Sequence, residues 1–561
     1  MKKIVRIAMV FALILTAFSL AMSPVQAKPS GTVDVQILAL NDFHGNLLPP
    51  AGSSGRVGTI DAGGVEYLAT HVSNLRALNP NTVVVSAGDM VGASPLLSAL
   101  FHDEPTIEAF NLIGLDFNAV GNHEFDEGWA ELVRLQEGGC HPVDGCLDGD
   151  GFDGADFRFL AANVVRKDNG KTIFPAYKQR AFQGARIAFI GMTLEGTPSI
   201  VTPSGIADLN FLDEADTVNA LIPELKKKGI ETIVVLIHEG GVQSAPAPYN
   251  GCTGISGPIV DIVERFDDAV DVVISGHTHQ PYNCEIDGKL VTSAFSFGRL
   301  VTKIDLTIDR KTGDVVSMAA DNRIVTRDVP KDGLLTALIA KYQAIAAPLE
   351  NRVIGSITAE ITRTPNAAGE SALGDVIADA QLYATTPPSL GGAVIAFMNP
   401  GGIRADLIYA SSPANEGDGF VTYGESFTVQ PFGNNLVTMT LTGAQIDTLL
   451  EQQFVGCGQT ASRILQVSAG FSYTWNTAGG ACDKVDPATI MLNGVTLNPS
   501  GSYRVTVNSF LADGGDNFFI LPSGTDRLGG AVDTDALEAY FVAFSPVAPG
   551  PQDRITVITV P

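Results

Sequence analysis

Five short polar clusters hold most of the residues in the first half of this chain that could do chemistry. They are Asn41-Asp42-Phe43-His44-Gly45, Gly88-Asp89, Gly121-Asn122-His123-Glu124-Phe125-Asp126, His238-Glu239-Gly240-Gly241 and Gly276-His277-Thr278-His279. The chain has 8 histidines, and five of them (His44, His123, His238, His277 and His279) sit in these clusters. One residue separates Asp42 from His44, and one separates His277 from His279. In a turn, both members of such a pair can reach a common point. Asp and neutral His suit zinc, manganese or iron, and a carboxylate such as Asp89 can bridge two ions. Two ions about 3.5–4 Å apart bind phosphate oxygens and acidify water, so the set points to hydrolysis of phosphate esters. Taken singly the clusters say little. An Asp-x-His or a Gly-Asp usually marks a turn, and a strand-end His usually bonds to backbone. The information lies in the ordered set.

Each cluster follows an apolar run, and four of these runs read as strands, while the run before Gly121 is only Asn-Ala-Val. Strands are expected over 33–40, 82–86, 185–192, 232–237 and 270–275, rich in Val and Ile. Helical patterns lie between several of them, such as 64–77 and 216–228. This alternation implies an α/β domain whose sheets are covered by helices, and sites in such domains gather beyond the carboxyl ends of strands. Residues 332–349 read as one helix with Leu335, Leu338, Ile339 and Tyr342 on one side. A second mixed region follows, with helices over 371–384 and 442–453 and strands over 393–397, 436–441 and 503–509. The expected division is a leader over 1–27, a first domain over 28–330, a linking helix over 331–352 and a second domain over 353–561.

At 561 residues the chain exceeds one ordinary core. Lys2, Lys3 and Arg6 precede an apolar run over 7–22, and Val25-Gln26-Ala27 ends in a small residue, the pattern of a secretory signal peptide. No other stretch could cross a bilayer, so stable membrane insertion is not expected after cleavage. Removing the leader takes three of the 35 bases and none of the 61 acids, which moves the formal charge from −26 to −29. That charge disfavours binding to a nucleic acid polymer. Six cysteines in an exported chain suggest disulfides. Proximity favours Cys140–Cys146, Cys252–Cys284 and Cys457–Cys482. His71, His102 and His141 lack comparable neighbours and are assigned to surface or helix packing.

In this order the clusters resemble those of the 5′-nucleotidase family, within the calcineurin-like metallophosphoesterases. The second half adds Asn399-Pro400-Gly401-Gly402-Ile403-Arg404, Gln430-Pro431-Phe432-Gly433-Asn434 and the run from Asn508 to Asp516, which resemble that family's C-terminal domain. The resemblance implies an α/β (α+β) fold: a four-layer β-sandwich flanked by helices, followed by a mixed α/β substrate-binding domain. It implies two divalent metal ions, zinc foremost, with manganese, cobalt or iron as further candidates. Asp42, His44, Asp89 and His279 would surround one ion. Asp89, Asn122, His238 and His277 would surround the other. His123 would be the catalytic histidine, oriented by Asp126. Phe432 and Phe510 would sandwich a nucleobase, Asp516 would contact ribose, Arg404 would bind phosphate, and Asn399 and Asn434 would make polar contacts. The family often has two arginines ahead of its Glu-x-x-Leu-Gly stretch. Here Arg363 alone precedes Glu370, with Ala367 where the nearer arginine would fall; Arg363 is the expected substrate contact from this stretch, and affinity for di- or triphosphates is not expected to follow the family's pattern.

The expected activity is release of phosphate from nucleoside 5′-monophosphates, in the periplasm or the medium, for nucleoside and phosphate salvage. Rival substrates are 2′,3′-cyclic nucleotides with 3′-nucleotides, nucleotide-diphosphate sugars, and NAD. A secreted nucleotide-binding or adhesion protein without activity is the alternative of another class. The sequence leaves the oligomeric state open.

Overall fold

Apolar runs without alternation mark strands buried on both faces, and two of them lie at the centre of the first domain. The Thr82–Ser86 run is Thr-Val-Val-Val-Ser and the Thr232–His238 run is Thr-Ile-Val-Val-Leu-Ile-His; both are buried almost throughout. β-Branched residues suit interior parallel strands of this kind. The computed structural model describes residues 31–559 apart from 51, 202, 413 and 414, so the leader expected over 1–27 lies outside the described residues.

The sandwich strands are β1 (Thr32–Leu40), β2 (Thr82–Ser86), β3 (Phe117–Ala119), β4 (Arg158–Leu160), β5 (Tyr177–Phe182), β6 (Ala185–Thr193), β7 (Thr232–His238), β8 (Val272–Ser275), β9 (Pro281–Ile286), β10 (Lys289–Ala294), β11 (Leu300–Asp309) and β12 (Val315–Ile324). They form two 6-stranded sheets, ordered β12-β11-β1-β2-β3-β4 and β9-β10-β8-β7-β6-β5. Strands β1 to β4 run parallel, as do β6, β7, β8 and β10.

Successive side chains on a strand point to opposite faces, and the cores divide accordingly. Ile37, Val83, Val85, Phe189, Val234, Leu236 and Ile274 meet between the sheets. Leu38, Leu40 and Val84 face outward against helices Val65–Arg76, Glu104–Ile113 and Trp129–Glu137. Ile190, Val235 and Ile237 face helices Glu214–Lys227 and Pro258–Glu264. The result is four layers, helix–sheet–sheet–helix, as expected.

The helix after this domain, Gly333–Glu350, is capped by Asp332, whose carboxylate accepts from the Leu334 and Leu335 amides. Leu335, Ile339, Tyr342 and Ala346 join the outer core of the first domain. The helix also contacts the short helix Tyr423–Val429 of the second domain. It is therefore a packed element of the first domain as well as a connection.

The second domain centres on β13 (Ile395–Met398), β14 (Asn435–Thr442), β15 (Gln466–Val467), β16 (Ser502–Asn508) and β17 (Thr525–Val532), ordered β15-β13-β16-β14-β17. β13 and β16 run parallel, and the other neighbours are antiparallel. One face packs on Gly443–Glu451 through Ile446, Leu449 and Leu450. Helices Ala372–Thr385 and Asp533–Phe544 pack together on the other side. The three cysteine pairs close as proximity favours, Cys140–Cys146, Cys252–Cys284 and Cys457–Cys482. Among the described residues, no helix is long and apolar enough to cross a membrane.

Candidate active site

All five polar clusters begin at the carboxyl ends of parallel strands. The first three follow β1, β2 and β3 in one sheet. His238 ends β7 and the last cluster follows β8, both in the other sheet. The two sheets share a core, so the ends of their central strands converge, and segments far apart in sequence meet there.

The local backbone is unusual. Asp42, His44, Asp89, His277 and His279 have φ of 49°, 48°, 51°, 67° and 50°. Non-glycine residues in this left-handed region cost about 1–3 kcal/mol each and persist where the surroundings over-determine them. Five of the seven residues expected to hold metal therefore sit in strained turns. Close approach of the loops also needs glycine: a Cβ on Gly88 would lie 2.7 Å from the Gly121 amide nitrogen and 2.8 Å from His238 Nδ1.

Glu124 locks two of these loops, a role that the sequence reading did not assign. Its buried carboxylate accepts from the amides of Asp89 (2.9 Å), Met90 (2.9 Å) and Gly121 (2.7 Å), and from Asn118 Nδ2 (3.2 Å). Burial pushes its pKa up to about 7, helped by the Asp89 charge and opposed by the backbone donors. Glu124 stood inside the third cluster, so its position was the available signal.

The seven expected ligands form two overlapping groups. Donor atoms of Asp42, His44 and His279 lie within 4.8 Å of one another, as do those of Asp89, His238 and His277. His44 Nε2 is 3.1 Å from His279 Nε2, 3.9 Å from Asp42 Oδ1 and 3.7 Å from Asp89 Oδ2. His277 Nδ1 lies 3.0 Å from Asn122 Oδ1, which brings the seventh residue in. Asp89 stands between the groups, with Oδ2 toward both His44 and His238.

The donor chemistry fits divalent cations. His44 Nδ1 donates to the Gly92 carbonyl at 2.9 Å and His238 Nδ1 to the Ala87 carbonyl at 2.7 Å. A proton held on Nδ1 leaves the Nε2 lone pair facing inward, as in metal-bound histidines. Burial drives His44 down to about 3 and His277 to about 4, which keeps both in the neutral donor form. His238 Nε2 is buried with no aligned hydrogen-bond partner, although Asp89 Oδ2 is 2.8 Å away. Against burial, Asp89 pulls His238 up to about 10. A cation between the two atoms would satisfy both without that proton.

His123 borders this set, with a ring nitrogen within 4.8 Å of donor atoms of His44 and Asp89 and its amide donating to Asp89 Oδ1 at 2.9 Å, but its ring is held by a different partner. Its Nδ1 is 2.8 Å from Asp126 Oδ2, and Asp126 also accepts from the Ala93 amide at 3.1 Å. Burial opposes protonation of His123, yet the Asp126 and Asp89 carboxylates outweigh it and raise its pKa. With Nδ1 taken, Nε2 is the nitrogen that can meet a substrate.

A cavity of about 210 Å³ opens on this histidine between the domains. Asn122, His123, Asp126 and His277 line it from one side, and Asn399, Arg404, Phe432, Asn434, Phe510 and Asp516 from the other. The Phe432 ring stacks on His123, with centroids 5.8 Å apart and planes at 15°, and the Arg404 guanidinium lies 5.6 Å from that ring. Asp516 is buried, accepts from Asn399 Nδ2 at 2.9 Å and pairs with Arg463. Arg463 and Asn508 also line the cavity, and the sequence reading gave neither a role. Arg463 follows a polar stretch with no distinguishing neighbours, whereas Asn508 opens the quoted run that ends at Asp516. Arg363 does not line the cavity. Its guanidinium donates to the Ile403 carbonyl at 3.0 Å, next to Arg404.

The profile of calcineurin-like phosphoesterases matches residues 35–281, and that of 5′-nucleotidase C-terminal domains matches 353–522. The chain belongs to the 5′-nucleotidase family. It is 26% identical over 584 residues to the 5′-nucleotidase of Vibrio cholerae, covering 96% of this chain and 95% of that protein. The structure resembles that of the 5′-nucleotidase precursor from Thermus thermophilus, with a TM-score of 0.73 and 26% identity over 94% of this chain and 100% of that one. It is also 33% identical over 541 residues to the endonuclease YhcR of Bacillus subtilis; that match covers 94% of this chain and 41% of that protein, so the chain spans less than half of this relative's length.

Proposed function

We propose that this member of the 5′-nucleotidase family hydrolyses nucleoside 5′-monophosphates to nucleoside and inorganic phosphate, outside the cytoplasm. One observation carries the reading. His123, Asp126 and two of the seven expected ligands, Asn122 and His277, line the same cavity as Arg404, Phe432, Phe510 and Asp516, so phosphate-handling and base-stacking groups face one ligand-sized space. Asp42, His44, Asp89, Asn122, His238, His277 and His279 would hold two divalent ions, zinc foremost. When bound, these supply Lewis acidity toward the phosphoryl oxygens and toward water.

The remaining steps belong to the chain's own residues. Asp126 holds His123 Nδ1, which aims Nε2 at the cavity. In its protonated form His123 donates to a phosphoryl oxygen or to the departing 5′-oxygen as charge develops. Arg404 offers a fork of donors to the phosphate. Phe432 and Phe510 provide ring faces that accept any base, worth about 1–3 kcal/mol per stacked base. Asp516, pinned by Arg463 and Asn399, presents a fixed acceptor for ribose hydroxyls. Three disulfides support an extracytoplasmic site of action.

A panel of AMP, 2′,3′-cyclic AMP, NAD and UDP-glucose, assayed with the Zn²⁺-, Mn²⁺- and Co²⁺-loaded protein, tests this. AMP is expected to give the highest kcat/KM, with activity lost on chelation. A higher value on a cyclic or pyrophosphate substrate overturns the monoester assignment. No turnover of any of them overturns the enzymatic one.

A further inference from the structure

Two histidines that the sequence reading assigned to packing come together in the fold. The imidazoles of His102 and His141 stack with centroids 3.7 Å apart and planes at 18°. His102 Nδ1 lies 2.8 Å from Glu127 Oε2 and His102 Nε2 lies 3.0 Å from Asp144 Oδ2. The same Asp144 oxygen is 3.2 Å from His141 Nδ1. Donor atoms of His102, Glu127 and His141 all fall within 4.8 Å of one another. The imidazoles are largely covered, 16% and 15% exposed, while the carboxylates reach solvent, 45% and 46% exposed. A cation could therefore enter from the carboxylate side.

We propose that this cluster is a third divalent-cation site, distinct from the dinuclear set, with Glu127, His102 and His141 as ligands once the two rings turn out of their stack, and with Asp144 as the residue that orients both imidazoles, His102 through its carboxylate and His141 through its backbone amide. Two imidazoles with one carboxylate suit Zn²⁺ and its neighbours and suit Ca²⁺ or Mg²⁺ poorly, since these favour oxygen ligands. A carboxylate behind a ligating histidine is the usual arrangement at such centres.

The three ligands come from three segments, each placed to matter. His141 lies in the loop closed by Cys140–Cys146. His102 precedes Asp103, whose Oδ2 accepts from the Gly92 amide at 2.9 Å, and the Gly92 carbonyl accepts from His44 Nδ1. Glu127 follows Asp126, which orients His123. A cation here would tie the disulfide loop to the two segments that back the dinuclear cluster and the catalytic pair. Its role would be to position these segments.

The test is metal stoichiometry of the whole chain, stripped with chelator, reloaded with Zn²⁺ and dialysed, then read by atomic spectroscopy. Three ions per chain are expected in the wild type and two in the double variant His102→Gln/His141→Gln. His141→Ala, in a disulfide-closed loop, serves should the double variant misfold, and two ions are expected there too. Asp89→Asn, which disrupts the dinuclear set alone, should keep the peripheral ion. Thermal midpoint should rise on addition of the third equivalent in the wild type and not in His141→Ala. Two ions in the wild type, three in His141→Ala, or none in Asp89→Asn would overturn the site. Failure of the proposed activity is a separate outcome, because phosphate release is not the readout.

Discussion

The two walls of the interdomain cavity are built in opposite ways. The wall from the first domain is made of short motifs at strand ends, with five backbones in the left-handed region and most side chains fully buried. Glu124 clamps two of its loops through three backbone amides. The wall from the second domain presents Arg404, Phe432, Asn434 and Phe510, all half-buried. Of its named residues, only Asp516 has a positive φ, 53°. The contrast follows from what the proposed function asks of each wall. Holding metal ions demands donors fixed to within about 0.5 Å, which strained, over-determined loops provide. Stacking a planar base tolerates small displacements, so side chains on ordinary loops suffice.

Substitutions on the two walls should therefore fail differently. The largest effect is expected for Asp89→Asn, the residue facing both halves of the dinuclear set. It should lose one or both catalytic ions by atomic spectroscopy and about 10³-fold or more in kcat. Next comes His123→Ala, expected to lower kcat about 10²–10⁴-fold with both ions retained. Loss of the ions together with activity would instead make His123 a ligand and blur the division of labour on that wall.

Asp126→Asn sharpens the same wall. Removing an orienting carboxylate should cost about 10–100-fold. Burial depresses His123 and the carboxylates of Asp126 and Asp89 raise it above its ordinary value. Taking away Asp126 therefore lowers that pKa. The protonated form should then be lost at lower pH, and the alkaline limb of the pH–rate profile should move down. An unmoved limb would remove His123 protonation from the mechanism. The smallest effects are expected on the other wall. Phe510→Ala should raise KM for AMP by about 1–3 kcal/mol equivalent and leave p-nitrophenyl phosphate hydrolysis unchanged. Phe432→Ala should do the same and also perturb kcat slightly, because its ring stacks on His123. Equal losses on both substrates for both variants would break the comparison between the walls.

The dinuclear cluster was legible in sequence because each member lies within a few residues of a strand end, and strand ends are marked by runs of Val and Ile. The His123–Asp126 pair was legible for the same reason, being three residues apart. Glu124 was visible as a residue and its role was not, since the role consists of hydrogen bonds to amides up to 35 residues away in sequence. Arg463 was missed because nothing beside it in the chain signals a site; it acquires one by pairing with Asp516, 53 residues on. Arg363 shows the reverse case. Its expected role came from a resemblance in a short stretch, and in the fold its guanidinium donates to the Ile403 carbonyl beside Arg404. His102 and His141 were assigned to packing singly, and only folding stacks them.

The sequence by itself determined the most apolar central strands, the order of the five clusters and the chemical types in them, because hydrophobic periodicity and motif spacing are local properties; strands such as Phe117–Ala119 and Leu300–Asp309 emerged only in the fold. The tertiary structure alone decided which donor atoms share a point, which carboxylate locks the loops, and that His123 faces Phe432 across a domain boundary. Those are relations between segments tens to hundreds of residues apart. They arise when two sheets bury a common face and bring their strand ends together, a convergence that no local pattern records.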